Sequence, residues 1–385
     1  MTLAMFATCP RGLEATLASE LEACAARETR AVGGGVHFAG DLAVCYRANL
    51  ESRIASRILL RVAQAPYRNE RDVYHTAHAV RWPERFDVGC AIRVDVSAIR
   101  SPLRSLDFVT LRIKDAVCDR FRADTGSRPD VDTRAPDVRI HAFLDERTVT
   151  LYLDTSGEPL WKRGLRGATG AAPLRENLAA GLIALSGWRP DEPLFDPMCG
   201  SGTILAEAAQ IALGIAPGSR RAFAFERLHD FDADLWRDLR AAAGDRAISA
   251  RKPAIFGADR DASILDSAQS ALEQTGLSGA VTLQRADVLD VDAPAPGGVL
   301  VTNPPYGVRV GEDAELAAFY PQLGDALKAR FAGWRCHILT ADLRLAKLIG
   351  LKASKRTPLF NGPLECRLFE FKIVSGSMRR PDGKS

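Results

Sequence analysis

Two short runs, far apart in the chain, combine the residue types that polar-ligand chemistry needs: Asp196-Pro197-Met198-Cys199-Gly200-Ser201-Gly202-Thr203 and Asn303-Pro304-Pro305-Tyr306. In the first, Gly200 and Gly202 can take positive φ and carry no Cβ, so backbone amides can approach a ligand closely. The layout would suit a pyrophosphate, or simply close a tight turn. The spacing is Gly-x-Gly-Thr rather than Gly-x-Gly-x-x-Gly, and the charge of Asp196 would repel phosphate. A carboxylate there better suits an ammonium or hydroxyl group. In the second run, two successive prolines fix φ and remove two donors, leaving carbonyls to accept beside the Asn303 amide oxygen. Such an acceptor cluster suits an amine, and Tyr306 offers a ring face on which a planar base can stack. The plainer alternative is a proline-rich turn with Tyr306 as a core aromatic.

These runs need elements that bring them together. Each follows an apolar segment, Leu194-Phe195 and Gly298 to Thr302, that reads as a buried strand, so both would emerge at one edge of a parallel sheet. Ile204 to Leu213 suits a helix ending at Gly214. Ala254 to Gly257 reads as a second strand followed by Asp259, with a helix through Thr275 closed by Gly276. Val281 to Leu283 reads as a third strand leading to Asp287. An acid at the second strand end is placed to accept both hydroxyls of a ribose, and one after the third to accept from an adenine amino group. Asp is also an ordinary helix cap and turn former. In this order, the stations match the methionine portion, ribose and base of S-adenosyl-L-methionine.

The two runs together resemble class I S-adenosylmethionine-dependent methyltransferases that act on the exocyclic amine of a base. Trp161 to Gly170 and Ala172 to Leu178 are similar to the segment leading into the catalytic domain of THUMP-containing RNA methyltransferases. The likeness is closest to the 23S rRNA guanine-N2 methyltransferases of the RlmL/YpsC group, and extends to Ala7–Glu14, Asp115–Phe121, Arg128–Asp132 and Leu151–Gly157. It implies direct in-line transfer of the methyl group to the amine, with no covalent intermediate and no metal. Asn303, Pro304, Pro305 and Tyr306 are the implied catalytic residues. Asp196, Pro197, Cys199, Gly200, Ser201, Gly202, Thr203, Asp259, Asp287 and Asn303 are the implied cofactor contacts. Alternatives are a THUMP-type tRNA guanine-N2 enzyme, an adenine-N6 DNA or protein glutamine methyltransferase, and a non-catalytic RNA-binding assembly factor. Long members of the group carry a second methyltransferase domain, so a single activity is expected of this chain.

Composition agrees with a cytoplasmic enzyme without selecting one. The 385 residues are 46% hydrophobic, enough for two or three domains. Eight scattered cysteines without a Cys-x-x-Cys pair suit reduced thiols, and neither an export signal nor a long apolar span is evident. Net charge is +3; residues 45–170 hold 22 Lys plus Arg against 17 Asp plus Glu, whereas residues 171–385 hold 26 of each. Nearly all that excess is arginine, which suits bidentate phosphate contacts; the resemblance, not the charge, implies an RNA partner, 23S rRNA or a pre-ribosomal particle foremost and tRNA second. Nothing in the sequence fixes an oligomeric state.

The organisation expected is an α/β chain: a ferredoxin-like part at 1–44, a THUMP RNA-binding domain at 45–158, a linker at 159–170, a Rossmann-like methyltransferase domain at 171–375 and a disordered tail at 376–385. The early part carries a helix from Gly12 to Ala26. The middle alternates strands such as Ala91–Val96 and Val149–Leu153 with a helix from Phe108 to Arg122. The catalytic sheet is doubly wound and mostly parallel, closing in an antiparallel hairpin, Arg356–Phe360 with Leu364–Ile373. His75 and His78 lack partners at metal-site spacing. The insertion at Arg220 to Glu226 suits either a wall of a substrate cleft or a helical lid.

Overall fold

The computed structural model describes residues 2–164, 174–247, 252–305 and 313–374, the side chains of 313 and 314 excepted. Residues 165–170 of the expected linker and the tail at 376–385 lie outside them. The chain divides into two compact units, Met1–Arg163 with Ala216–Arg246, and Gly164–Ile215 with Ala247–Ser385.

The first unit begins β1 (Leu3–Thr8), α1 (Glu14–Ala23), β2 (Arg27–Val32), β3 (Gly35–Gly40), α2 (Leu42–Glu51) and β4 (Arg57–Pro66). It continues α3 (Glu70–Ala79), β5 (Ile92–Ala98), α4 (Leu106–Thr125), β6 (Val138–Leu144) and β7 (Thr148–Asp154). All seven strands form one sheet in the order β2-β3-β1-β4-β7-β6-β5. The ten-residue β4 is the join, antiparallel to β1 through its first half and to β7 along most of its length. The small N-terminal part therefore has no separate edge at this join; its sheet continues into the next domain. Alternating residues Met5, Ala7, Leu60, Leu153 and Ile140 are buried on the face that carries the helices. Helix α4 starts at Ser105, whose hydroxyl accepts the Phe108 amide at 3.2 Å, and ends at Gly126 with φ 78°.

In the second unit, α5 (Glu176–Ser186), β8 (Leu194–Asp196) and α6 (Thr203–Ala212) come first. The chain then contributes the insertion with α7 (Ala233–Asp245) to the first unit. It resumes with β9 (Ile255–Asp259), α8 (Ala262–Gln274), β10 (Thr282–Arg285), β11 (Gly298–Thr302), α9 (Asp313–Arg330), β12 (Trp334–Thr340), α10 (Leu343–Leu348), β13 (Lys355–Asn361) and β14 (Leu364–Lys372). The sheet order is β10-β9-β8-β11-β12-β14-β13, parallel through β12 and antiparallel in the last two pairings. This is the doubly wound sheet with a closing hairpin that the sequence predicts. Residues of both parities are buried in β8 and β11, as in a sheet covered on both faces. Phe195 on β8 stacks on Phe331 at 5.9 Å and meets Trp334 edge-on at 6.4 Å, which fixes the strand that carries the glycine loop.

The insertion is anchored inside the first unit. Phe225 stacks on Tyr46 of α2 at 4.3 Å and meets Trp236 of α7 edge-on at 5.0 Å. The Gly218 amide donates to Leu50 O at 2.9 Å, the Phe225 amide to Thr155 O at 3.0 Å, and Arg221 to the carbonyls of Pro159 and Ser156 at 2.8 and 3.2 Å.

Candidate active site

The strand order reverses beside β8, which has β9 on one side and β11 on the other. Ligands of such sheets bind outside the carboxyl ends of the strands at this reversal. Leu300 of β11 pairs with Phe195 of β8, so Asp196 and Asn303 both lie beyond that pair, at the same sheet edge. Asp196 in turn pairs with Gly257, placing Asp259 two residues further along β9, and Arg285 pairs with Asp259, placing Asp287 just past β10. Register alone thus collects three carboxylates and one amide along one edge.

Asp196 is buried, and its carboxyl is pushed up to about 7, first by burial and then by the neighbouring Asp259 charge. The Met198 amide donates to its Oδ1 at 3.2 Å and pulls the other way. The Thr302 hydroxyl also favours the charged form, although its Oγ1 falls short of hydrogen-bond geometry. A cationic group would hold this carboxyl ionised.

Asp259 clips the glycine loop to the sheet. Its Oδ2 accepts the Gly200 amide at 3.0 Å and its Oδ1 the Asp261 amide at 3.0 Å. Each carboxylate oxygen can accept more than once, so both keep capacity for a pair of vicinal hydroxyls. The loop itself is built for close approach. Gly200 has φ 53° and Gly202 φ 78°; the Cys199 amide donates to Ala258 O at 2.9 Å, and the Ser201 and Thr203 hydroxyls stand 3.3 Å apart. Pro197 is buried beneath the turn. The Cys199 thiol is buried and its pKa is raised by burial and by the Asp196 and Asp259 charges, which suits a structural thiol rather than a nucleophile. Asp287 accepts the Leu289 amide at 3.0 Å, so this acid does serve as a turn former while staying half-buried at the edge.

The Asn303 side-chain oxygen is buried and has no hydrogen-bond partner among the described residues. An unsatisfied buried acceptor costs on the order of 1–3 kcal/mol, and an incoming N–H donor would remove that cost. Pro304 is buried, and the carbonyl of Pro305 accepts the Tyr320 hydroxyl of α9 at 3.2 Å. Of the acceptors expected at the two prolines, the one at Pro305 is therefore occupied by a support from α9, a residue the sequence pattern did not single out. Tyr306 lies outside the described residues. The structure thus brings Asp196, Asp259, Asp287 and Asn303 to one edge beside the glycine loop, three carboxylates and one unsatisfied amide oxygen that can accept from ammonium, hydroxyl and amino donors. Among the described residues no cluster of His, Cys, Asp and Glu could hold a metal, and His78 stacks on Tyr74 at 5.8 Å.

Comparisons with known proteins agree along the chain. Residues 163–370 match the RMKL-like methyltransferase domain, 67–154 the THUMP domain and 4–59 the RlmL ferredoxin-like domain. Ribosomal RNA large subunit methyltransferase K/L of Aeromonas salmonicida is 42% identical over 393 residues, covering 97% of this chain and 54% of that protein. The chain thus spans about half the length of most of the curated relatives it matches. The slr0064 protein of Synechocystis sp. is 39% identical over 371 residues, covering 96% of each chain. The crystal structure of SMU.472, solved in complex with SAH, superposes with a TM-score of 0.88 at 31% identity, over 98% of this chain and 99% of that one. The protein belongs to the RMKL-like methyltransferase family, with RlmL ferredoxin-like and THUMP domains ahead of its methyltransferase domain.

Proposed function

We propose that the protein is an S-adenosyl-L-methionine-dependent RNA methyltransferase that modifies the exocyclic N2 amine of a guanine, in 23S rRNA. The observation that carries this reading is the buried, unpartnered Asn303 oxygen at the strand edge that also bears Asp196 and Asp259. When bound, the cofactor supplies an electrophilic methyl group on a sulfonium. Asp196 holds an ammonium, Asp259 a ribose through its remaining lone pairs, and Asp287 an adenine amino group. The guanine amine is a poor nucleophile because its lone pair is delocalised into the ring. Asn303 Oδ1 and the Pro304 carbonyl accept hydrogen bonds from its N–H groups, turn the lone pair toward the cofactor and stabilise the positive charge that grows on nitrogen until one proton is released to water. Tyr306, next in sequence, stacks on the extruded base and offsets part of the unstacking cost. The ferredoxin-like and THUMP domains hold the RNA through phosphate contacts, leaving base choice to the pocket.

Two substitutions test these roles. Asn303→Ala should lower kcat by roughly 10²–10³-fold with cofactor Kd nearly unchanged, as for loss of a transition-state acceptor. Asp259→Ala should weaken cofactor binding far more than turnover at saturation. Equal effects of the two on Kd and kcat would contradict the assignment.

A further inference from the structure

The face of the first unit's sheet opposite the helices carries a groove of about 710 Å³, within the size range of small-ligand pockets and so large enough for a nucleotide. Its floor is a ladder of directly opposed residues. Arg30, His37, Phe6 and Leu59 pair in turn across β2, β3, β1 and β4, and Arg61, Tyr152 and His141 across β4, β7 and β6. Residues directly opposite share a face, and Leu59 and Arg61 are two apart on one strand, so both ladders face the same side. The rings are contiguous: Phe6 lies 4.7 Å from His37 and 6.3 Å from Tyr152. The Phe6 ring lies over Gly35, where an added Cβ would come within 2.5 Å of the ring, so a glycine is needed beneath it.

Two guanidinium groups over this floor are uncommitted. Arg30 and Arg61 make no ion pair among the described residues; Arg61 only donates to Gln64 at 3.2 Å. Burial and these two cations hold the His37 pKa below its ordinary value, so the imidazole is a neutral ring between two charges. Two acids line the groove. One is Glu28; the other, Asp145, is held ionised by the Arg147 and Thr148 amides and the Thr148 hydroxyl, at 2.7, 2.6 and 2.6 Å, which engage its oxygens locally.

We propose that this groove binds unpaired nucleotides of the RNA substrate, with bases stacked on the half-buried Phe6 and His37, which the buried Tyr152 backs, and phosphates held by Arg30 and Arg61. Aromatic rings on an open sheet face take splayed single-stranded bases, and guanidinium groups beside them take the backbone. Because the groove crosses β4, single-strand binding draws on the ferredoxin-like and THUMP strands together. The inference rests on the reading that the substrate is RNA.

The test uses the whole chain and a fluorescein-labelled single-stranded oligouridylate, followed by anisotropy, with a blunt RNA duplex for comparison. The wild type should prefer the single strand. Phe6→Ala should weaken that binding about tenfold. Arg30→Gln with Arg61→Gln should lower the slope of log K against log salt by about 1.4. Both variants should keep cofactor affinity and duplex binding, and the exposed arginine pair serves if Phe6→Ala fails to fold. Wild-type affinity and salt slope in the variants would overturn the proposal and leave the groove to a protein partner. A wild type that binds neither RNA form would instead overturn the RNA reading itself.

Discussion

A carboxyl with its pKa near 7 beside a glycine loop couples ligand affinity to pH. The Asp196 value lies above the ordinary 3.8, so without ligand this group stabilises the fold below about pH 4, and that contribution is lost as pH rises through about 7. An ammonium bound to Asp196 needs the ionised form. Cofactor affinity should therefore rise about tenfold per pH unit up to about 7 and fall again once the free α-amino group loses its proton, at about 7.7–8.0. Calorimetry between pH 5.5 and 8.5 measures this, and Asp196→Asn should flatten the profile; an unchanged slope in that variant would remove Asp196 from the role. Asp196, Asp259 and Asn303 were legible as candidates because each follows an apolar run. Their partners were not: the Asp259 contact to the Gly200 amide spans 59 residues and the Tyr320 contact to Pro305 spans 15, so neither leaves a local pattern.

Elements with strong local signals came through. Helix α6 stops before Gly214, with φ 66°, α8 is closed at Gly276, with φ 70°, and β11 matches its apolar run residue for residue. Other boundaries moved by a few residues: the predicted helix from Gly12 to Ala26 occupies Glu14–Ala23, and the third catalytic strand is Thr282–Arg285 rather than Val281–Leu283. Helix α9 shows why some elements carry no legible role. Its Tyr320 is fully buried, which in sequence reads as core, yet its hydroxyl steadies the turn that presents Asn303. Tyr320→Phe removes one neutral hydrogen bond, about 1 kcal/mol, and no packing volume. It should lower kcat several-fold while changing Tm and cofactor Kd little. An unchanged kcat would show that α9 does not position the turn.

At the scale of the molecule, chain order and spatial grouping part company. Residues 216–246 interrupt the catalytic domain in sequence but belong to the first unit, because their aromatic cluster is completed by Tyr46 rather than by catalytic strands. No composition shift signals that, since Phe223, Phe225 and Trp236 are simply apolar until their partner is known. Phe225→Ala should cost about 3–5 kcal/mol of the first unit's stability, read as an earlier thermal transition, while cofactor affinity holds. A parallel fall in cofactor affinity would contradict the separation of the two units. A deletion ending at residue 158 would likewise strip the insertion of Tyr46 and expose its rings, so it is a poor test of the RNA contacts proposed for the first unit. The most direct test of guanine-N2 transfer leaves the chain whole. Purified protein is incubated with methyl-labelled S-adenosylmethionine and separate unmodified 23S, 16S and tRNA fractions, and the nucleosides are resolved by mass spectrometry. N2-methylguanosine is expected in the 23S fraction, formed roughly 10²–10³-fold more slowly by Asn303→Ala; label in methyladenosine, in tRNA alone, or in no fraction would contradict guanine-N2 transfer to 23S rRNA.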